Sequence, residues 1–192
     1  MDTLTLLRID QALYYAWPIS EIVLGQVRRA RASSADVRDR GSMVLLWIVI
    51  GASIALALFA RHLSPHSLRL TPLARGLGAL ALFAVGIGLR VWSIVTLGRF
   101  FTVNVAVHAD HRVVRSGPYR WLRHPSYTGA MIAFSGLGVL TGSALSLAIL
   151  VLGIGAAFLY RIAIEEAALR AGLGEAYAGY ARVTKRLIPF VY

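Results

Sequence analysis

The sequence predicts an all-α integral membrane bundle of about five transmembrane helices, closed by a C-terminal helical hairpin. Three observations carry this. Hydrophobic residues make up 57% of the 192 positions and charged residues only 15%, against roughly 25% charged in an ordinary soluble domain. Long stretches lack any charge, and the arginines between them gather on one side of the expected membrane. Mean hydropathy is +0.66, so a disordered or fibrous chain is excluded.

The first apolar segment, about residues 9–27, contains Asp10, Pro18 and Glu21. It reads as a tilted or kinked membrane helix, or as one lying in the interface, rather than a cleaved leader. Ala30 to Ser42 is a short polar loop. Met43 to Ala60 is 18 residues without a charge, long enough to cross ~30 Å of hydrocarbon as a helix. Leu73 to Leu97 forms the next span; it carries Arg75 near its start and Arg90 within it, and an Arg at that depth either snorkels or faces a polar cavity, with snorkelling the favoured reading. Thr128 to Tyr160 has no charge and is broken by Thr141-Gly142-Ser143, which is turn chemistry between two hairpin arms. The first arm, Pro125 to Leu140, would be only ~24 Å long as a helix, so it spans marginally or re-enters.

The charges fix an expected topology. Nineteen Arg and one Lys face nine acids, for a formal net charge of +11. Arg28, Arg29, Arg31, Arg38 and Arg40 form one basic cluster, and Arg99, Arg112, Arg115, Arg120 and Arg123 a second. A third, after the hairpin, holds Arg161, Arg170, Arg182, Lys185 and Arg186. With five spans all three fall on one side, which the positive-inside rule makes cytoplasmic. The basic excess is thereby read as topology; no base-reading motif is present, so nucleic acid is not expected as a partner. The chain has no cysteine, which removes disulfides, thiolate metal sites and thiol nucleophiles.

Polar chemistry is densest between Arg99 and Tyr127. Ser116-Gly117-Pro118-Tyr119 is a turn, and His124-Pro125 sets the backbone where the first hairpin arm begins. Tyrosines and tryptophans collect at membrane interfaces in any case, but here they are clustered with histidine. His108, Asp110, His111 and His124 lack an HExxH-type helical context, so no metal site is expected. At the far end of the hairpin Arg161 and Glu165 are spaced i, i+4 and share a helix face. Such a pair is either a capping ion pair or part of a polar cavity under the membrane surface. Both hairpin ends lie on one side, so it can face the His/Tyr segment.

These residues carry a family resemblance. Ser116-Gly117-Pro118-Tyr119 is followed by Arg123-His124-Pro125-Ser126-Tyr127 with Gly129, then by Arg161, Glu165-Glu166, Gly174-Glu175-Ala176-Tyr177, Tyr180 and Leu187-Ile188-Pro189. In that order, across about residues 98–192, the chain resembles the isoprenylcysteine carboxyl methyltransferase family of integral membrane enzymes. The resemblance implies methyl transfer from S-adenosylmethionine, leaving S-adenosylhomocysteine, to a lipophilic small-molecule or prenylated acceptor reached from the membrane lipids. It divides a single membrane domain, residues 1–192, into N-terminal spans (1–97) and a cofactor-binding, catalytic half (98–192). The active site would face the cytoplasm from the inner or plasma membrane. Carried over by position, the cofactor contacts would be Asn104 (where the family often has Gln), His111, Arg112, Val113, Val114, Tyr119, His124, Pro125, Ser126, Tyr127 and Glu165. Arg161 would hold the acceptor, and Arg161 and Glu165 would be the catalytic pair. One departure is that Ala167 follows Glu166 where the family commonly has a longer acidic run.

The side-chain chemistry accords with this. A cationic sulfonium suits aromatic and carboxylate neighbours, and a planar guanidinium orients a carboxylate bidentately. Transfer to a carboxylate needs no proton removed, so positioning and partial desolvation suffice. An amine or thiol acceptor would call for a base, with His124 or His111 as candidates. An NADPH-dependent enzyme like the membrane sterol reductases, which share an HPxY-like region, and a non-catalytic nucleoside-binding membrane protein are the alternatives.

Overall fold

A computed structural model describes residues 36–37, 41–101, 106–107 and 112–188 of the chain. The expected first span, about residues 9–27, lies outside them. Four helices follow: α1 (Ser42–Leu63), α2 (Pro72–Leu97), α3 (Pro125–Thr141) and α4 (Ala144–Val183). Three of these, α1, α2 continued to Phe100, and α4, are long and apolar enough to cross a membrane. The fourth, α3, has 17 residues and reaches only ~26 Å at 1.5 Å per residue, as its composition predicts.

Helix ends follow local chemistry. Thr71 caps α2, its hydroxyl accepting from the Ala74 N–H with Pro72 in the first turn. Ser143 caps α4 in the same way through the Ser146 N–H. Between α3 and α4 the turn Thr141-Gly142-Ser143 closes the hairpin, and the α1–α2 loop packs on its tip: the Leu68 N–H donates to the Gly142 carbonyl and the Ala144 N–H to Ser67 Oγ.

Laterally α3 lies between α2 and α4, and α1 packs on the other side of α4. The α2–α3 contact depends on absent side chains. A Cβ on Gly86 would lie 2.5 Å from the Gly129 carbonyl oxygen, and one on Gly129 would lie 2.5 Å from that of Gly86. Small residues of this kind let membrane helices approach backbone to backbone. On the α1–α4 side Ser53 packs against Gly153, and Ser146 Oγ donates to the Ala57 carbonyl at 2.7 Å. The core runs through Leu46, Ile50, Ala133, Phe134, Leu137, Leu150, Ile154 and Phe158. Val44, Ile48, Phe59, Val85, Val95 and Leu152 point outward, where lipid makes apolar exposure favourable.

Three features depart from the sequence expectation. Asp36–Val37 pairs antiparallel with Ala106–Val107, a two-residue ladder beside the helices. Helix α4 runs on to Val183, 40 residues, with a kink at Gly174 (φ 53°, ψ −131°). This backbone conformation is one that glycine adopts without a Cβ clash. Arg90 does not snorkel: it is buried, and its Nη1 donates to Ser126 Oγ at 2.9 Å and to the Ser126 carbonyl at 3.3 Å. The close α2–α3 approach places Ser126 beside it, and a charge-assisted bond inside the bundle replaces the interface.

Candidate functional site

The site forms where the N-terminal ends of α1 and α3 meet the middle of α4. A short 3-10 turn, Gly117–Arg120, buries Pro118 and Tyr119 against the bundle. The chain then passes through Leu122, Arg123 and His124 into α3, with Pro125 at its first position. Burial pushes the Tyr119 hydroxyl well above its ordinary value, with Glu165 the next contributor.

At the centre Tyr127 joins the two members of the expected catalytic pair. Arg161 Nε donates to Tyr127 Oη at 3.1 Å, and Tyr127 Oη donates to Glu165 Oε2 at 3.1 Å. Arg161 is 2% exposed, and its Nη1 donates to Ser42 Oγ at 2.8 Å, tying the start of α1 into the site. Glu165 keeps 31% of its side chain open, so the relay ends on a carboxylate that a ligand can reach. The Tyr127 ring lies 5.0 Å from Phe158 and 5.8 Å from His124. His124 sits between both acids, Nε2 3.3 Å from Glu166 Oε1 and Nδ1 3.9 Å from Glu165 Oε2.

The two adjacent glutamates have different surroundings. Glu166 is buried and meets Arg123 at 2.8 Å, Arg186 at 3.2 Å and Arg170 at 3.8 Å besides His124. This network fastens the chain's last described residues to the loop before α3. The Arg123 N–H donates to the Lys185 carbonyl, the His124 N–H to the Arg186 carbonyl and the Lys185 N–H to the Trp121 carbonyl. Thr128 Oγ1 donates to the Leu187 carbonyl at 2.7 Å, and Arg123 Nη1 donates to the carbonyls of Ala181 and Thr184. A charge cluster of this density orders the loop that carries His124.

Of the residues singled out from sequence, Tyr119, His124, Pro125, Ser126, Tyr127, Arg161 and Glu165 come together here. Arg112, exposed, and Val113 and Val114, half-buried, lie on the extended approach to the 3-10 turn. Asn104 and His111 lie outside the described residues. Sequence reasoning did not assign Arg90, which holds Ser126, or Ser42, which holds Arg161. The signal for Arg90 was a lone charge in mid-span; a serine at a helix start gives none. Among the described residues no group of three or more metal-ligating side chains is assembled, while His108, Asp110 and His111 lie outside them.

The chain is similar in sequence and in fold to known proteins. The model of the Isoprenylcysteine carboxyl methyltransferase (ICMT) family matches residues 79–171, from within α2 to just past Glu166. A "Probable protein-S-isoprenylcysteine O-methyltransferase" of Oryza sativa subsp. indica is 33% identical over 114 residues, 58% of this chain and 60% of that protein. "Cobalt-zinc-cadmium resistance protein CzcN" of Cupriavidus metallidurans is 28% identical over 145 residues, 75% of this chain and 62% of that protein. Among solved structures, the eukaryotic intramembrane Ras methyltransferase ICMT without a monobody superposes with a TM-score of 0.62 at 28% identity, over 75% of this chain and 52% of that one. The chain thus spans between about half and about three fifths of the length of these relatives. In sequence over residues 79–171 and in fold over three quarters of its length, this chain is similar to the isoprenylcysteine carboxyl methyltransferase family.

Proposed function

We propose that the chain is an S-adenosylmethionine-dependent methyltransferase that acts on the carboxylate of a lipophilic acceptor, prenylated or otherwise lipidated, entering from the bilayer. The observation that carries this reading is the relay Arg161–Tyr127–Glu165 at the end of the apolar run of α4. It puts a buried guanidinium and an accessible carboxylate on opposite sides of one tyrosine hydroxyl.

The residues present fit the cofactor by the chemistry of the donor set. S-adenosylmethionine supplies, when bound, an electrophilic methyl on a cationic sulfonium. Glu165, Tyr127 and His124 form an aromatic and anionic wall suited to a cation, and Ser126 and Tyr119 add hydroxyl groups beside it. Arg112, Val113, Val114, Pro125, Asn104 and His111 complete the proposed contacts. On the other side of Tyr127, Arg161 grips the acceptor carboxylate, its orientation fixed by Tyr127 and Ser42. Because Arg161 is buried among apolar helices, the nucleophile is partly stripped of water before reaction. No proton leaves a carboxylate acceptor, so these residues align and desolvate rather than act as a base. In this reading the site faces the cytoplasm from an inner or plasma membrane, which the three arginine clusters of the sequence support through the positive-inside rule.

The test is binding and turnover with detergent-solubilised protein. Micromolar binding of S-adenosylmethionine and S-adenosylhomocysteine, and transfer of labelled methyl to a lipophilic carboxylate, are expected. Arg161→Ala and Glu165→Ala should abolish transfer while the protein stays folded. Binding of NADPH instead, or full activity in both variants, refutes the proposal.

A further inference from the structure

The helix beyond the α4 kink contains a buried hydroxyl to which no described residue bonds. Gly174 turns the chain so that residues 175–183 lie over the loop before α3. There Tyr180 Oη donates to the Tyr119 carbonyl at 2.7 Å and the Leu122 carbonyl at 3.2 Å, and Arg123 Nη1 donates to the Ala181 carbonyl at 2.9 Å. Tyr177 stands one turn earlier on the same face, its ring 6.0 Å from that of Tyr180. It is 3% exposed, and its charged neighbours are Glu166, Glu165 and Arg123, the groups of the site. Tyr180 Oη has two acceptors, whereas Tyr177 Oη is buried with no hydrogen-bond partner among the described residues. Buried hydroxyls are almost always bonded, and one held without a partner costs stability. A hydroxyl kept in that condition beside a binding site is a donor awaiting an acceptor.

We infer that Tyr177 is a cofactor-binding residue whose hydroxyl donates to the nucleoside part of S-adenosylmethionine and S-adenosylhomocysteine; the inference rests on the methyltransferase reading above. The two glutamates nearby disfavour an anionic acceptor such as the cofactor's carboxylate. A neutral oxygen or nitrogen of the ribose or adenine suits the position, because a phenol donates to it without bringing a second negative charge toward Glu165.

Tyr177→Phe removes only the hydroxyl, and the full chain in detergent is compared with wild type in two measurements. Thermal unfolding without ligand should give an unchanged or higher melting temperature, since no bond to a described residue is lost. Calorimetric titration with S-adenosylhomocysteine and with 5′-methylthioadenosine should show both affinities weakened by about three- to tenfold, the value of one neutral hydrogen bond. A lower melting temperature without ligand overturns the inference, because the hydroxyl then serves the protein's own structure. Unchanged affinity for S-adenosylhomocysteine overturns it as well. Weakening confined to S-adenosylhomocysteine, or a wild type that binds it but not the methylthio-nucleoside, overturns the nucleoside assignment. Failure of the wild type to bind either molecule refutes the methyltransferase reading itself, and this assignment with it.

Discussion

Substituting Gly129 by alanine tests whether the site depends on backbone contact between α2 and α3. The new Cβ would sit 2.5 Å from the Gly86 carbonyl oxygen and 2.8 Å from the Arg90 nitrogen, both backbone atoms that cannot swing aside. Restoring ordinary contact at 3.4 Å requires the helices to part by about 1 Å locally. Carried to the neighbouring turn, that movement stretches the Arg90 Nη1 to Ser126 Oγ bond from 2.9 Å to about 3.9 Å, past hydrogen-bonding range. Overpacking a tight contact costs ~1–3 kcal/mol, and losing a hydrogen bond to a charged group adds ~1.5–3 kcal/mol. The expected loss is therefore ~2.5–6 kcal/mol, read as a lowered melting temperature in detergent. Gly88→Ala is the control, because a Cβ there meets nothing within 4 Å. If Gly129→Ala melts with Gly88→Ala and wild type, the helices are not held by this contact and Arg90 does not depend on it.

Three further outcomes follow from the same geometry. Tyr127→Phe removes both bonds of the relay; at ~1.5–3 kcal/mol for a bond to a charged group it should lower kcat/KM about 10- to 100-fold or more. Labelled-methyl transfer checks this, and wild-type activity would leave the relay without a role. Glu166→Gln removes the negative charge on which Arg123, Arg186 and His124 converge; a loss of ~3–5 kcal/mol should appear as a lower melting temperature and faster proteolysis near residue 185. Tyr119 stays protonated in the folded protein because burial raises its value above the ordinary 10.0, while the unfolded chain ionises near ~10. Its contribution is complete below pH ~10 and is lost as pH rises beyond it, since unfolding then releases the proton. Tyr119→Phe should flatten the fall of melting temperature between about pH 10 and 11.5, and an identical slope in both proteins would contradict this.

Much of the architecture could be read from hydropathy alone. Met43 to Ala60 and Leu73 to Leu97 fall within α1 and α2 almost residue for residue, because in lipid an uncharged run of this length has one way to satisfy its backbone. Thr141-Gly142-Ser143 stands at the hairpin turn for the same reason. The convergence of His124, Tyr127, Arg161 and Glu165 followed from the parity of the hairpin, which returns both ends to one face. What composition could not show is long-range pairing. Arg90 read as a snorkelling residue because nothing local says that Gly86 and Gly129 let α3 approach it. The extension of α4 to Val183 was hidden by the charges after Tyr160, which end a membrane span but not a helix. Arg161 and Glu165 were read as a direct pair or two walls of a cavity; that a tyrosine 34 residues upstream of Arg161 bridges them is tertiary information.

The backbone bonds between residues 121–124 and 185–186 also set an order of events during synthesis. The loop bearing His124 leaves the ribosome some 60 residues before residues 185–186, whose carbonyls accept its N–H groups, and contacts so distant in sequence form late. A nascent chain stalled before Lys185 would have α1, α2 and α3 made and its loop still unbraced. Insertion and completion of the site are therefore separate stages, and damage to residues 185–186 should yield a protein that integrates normally yet never matures.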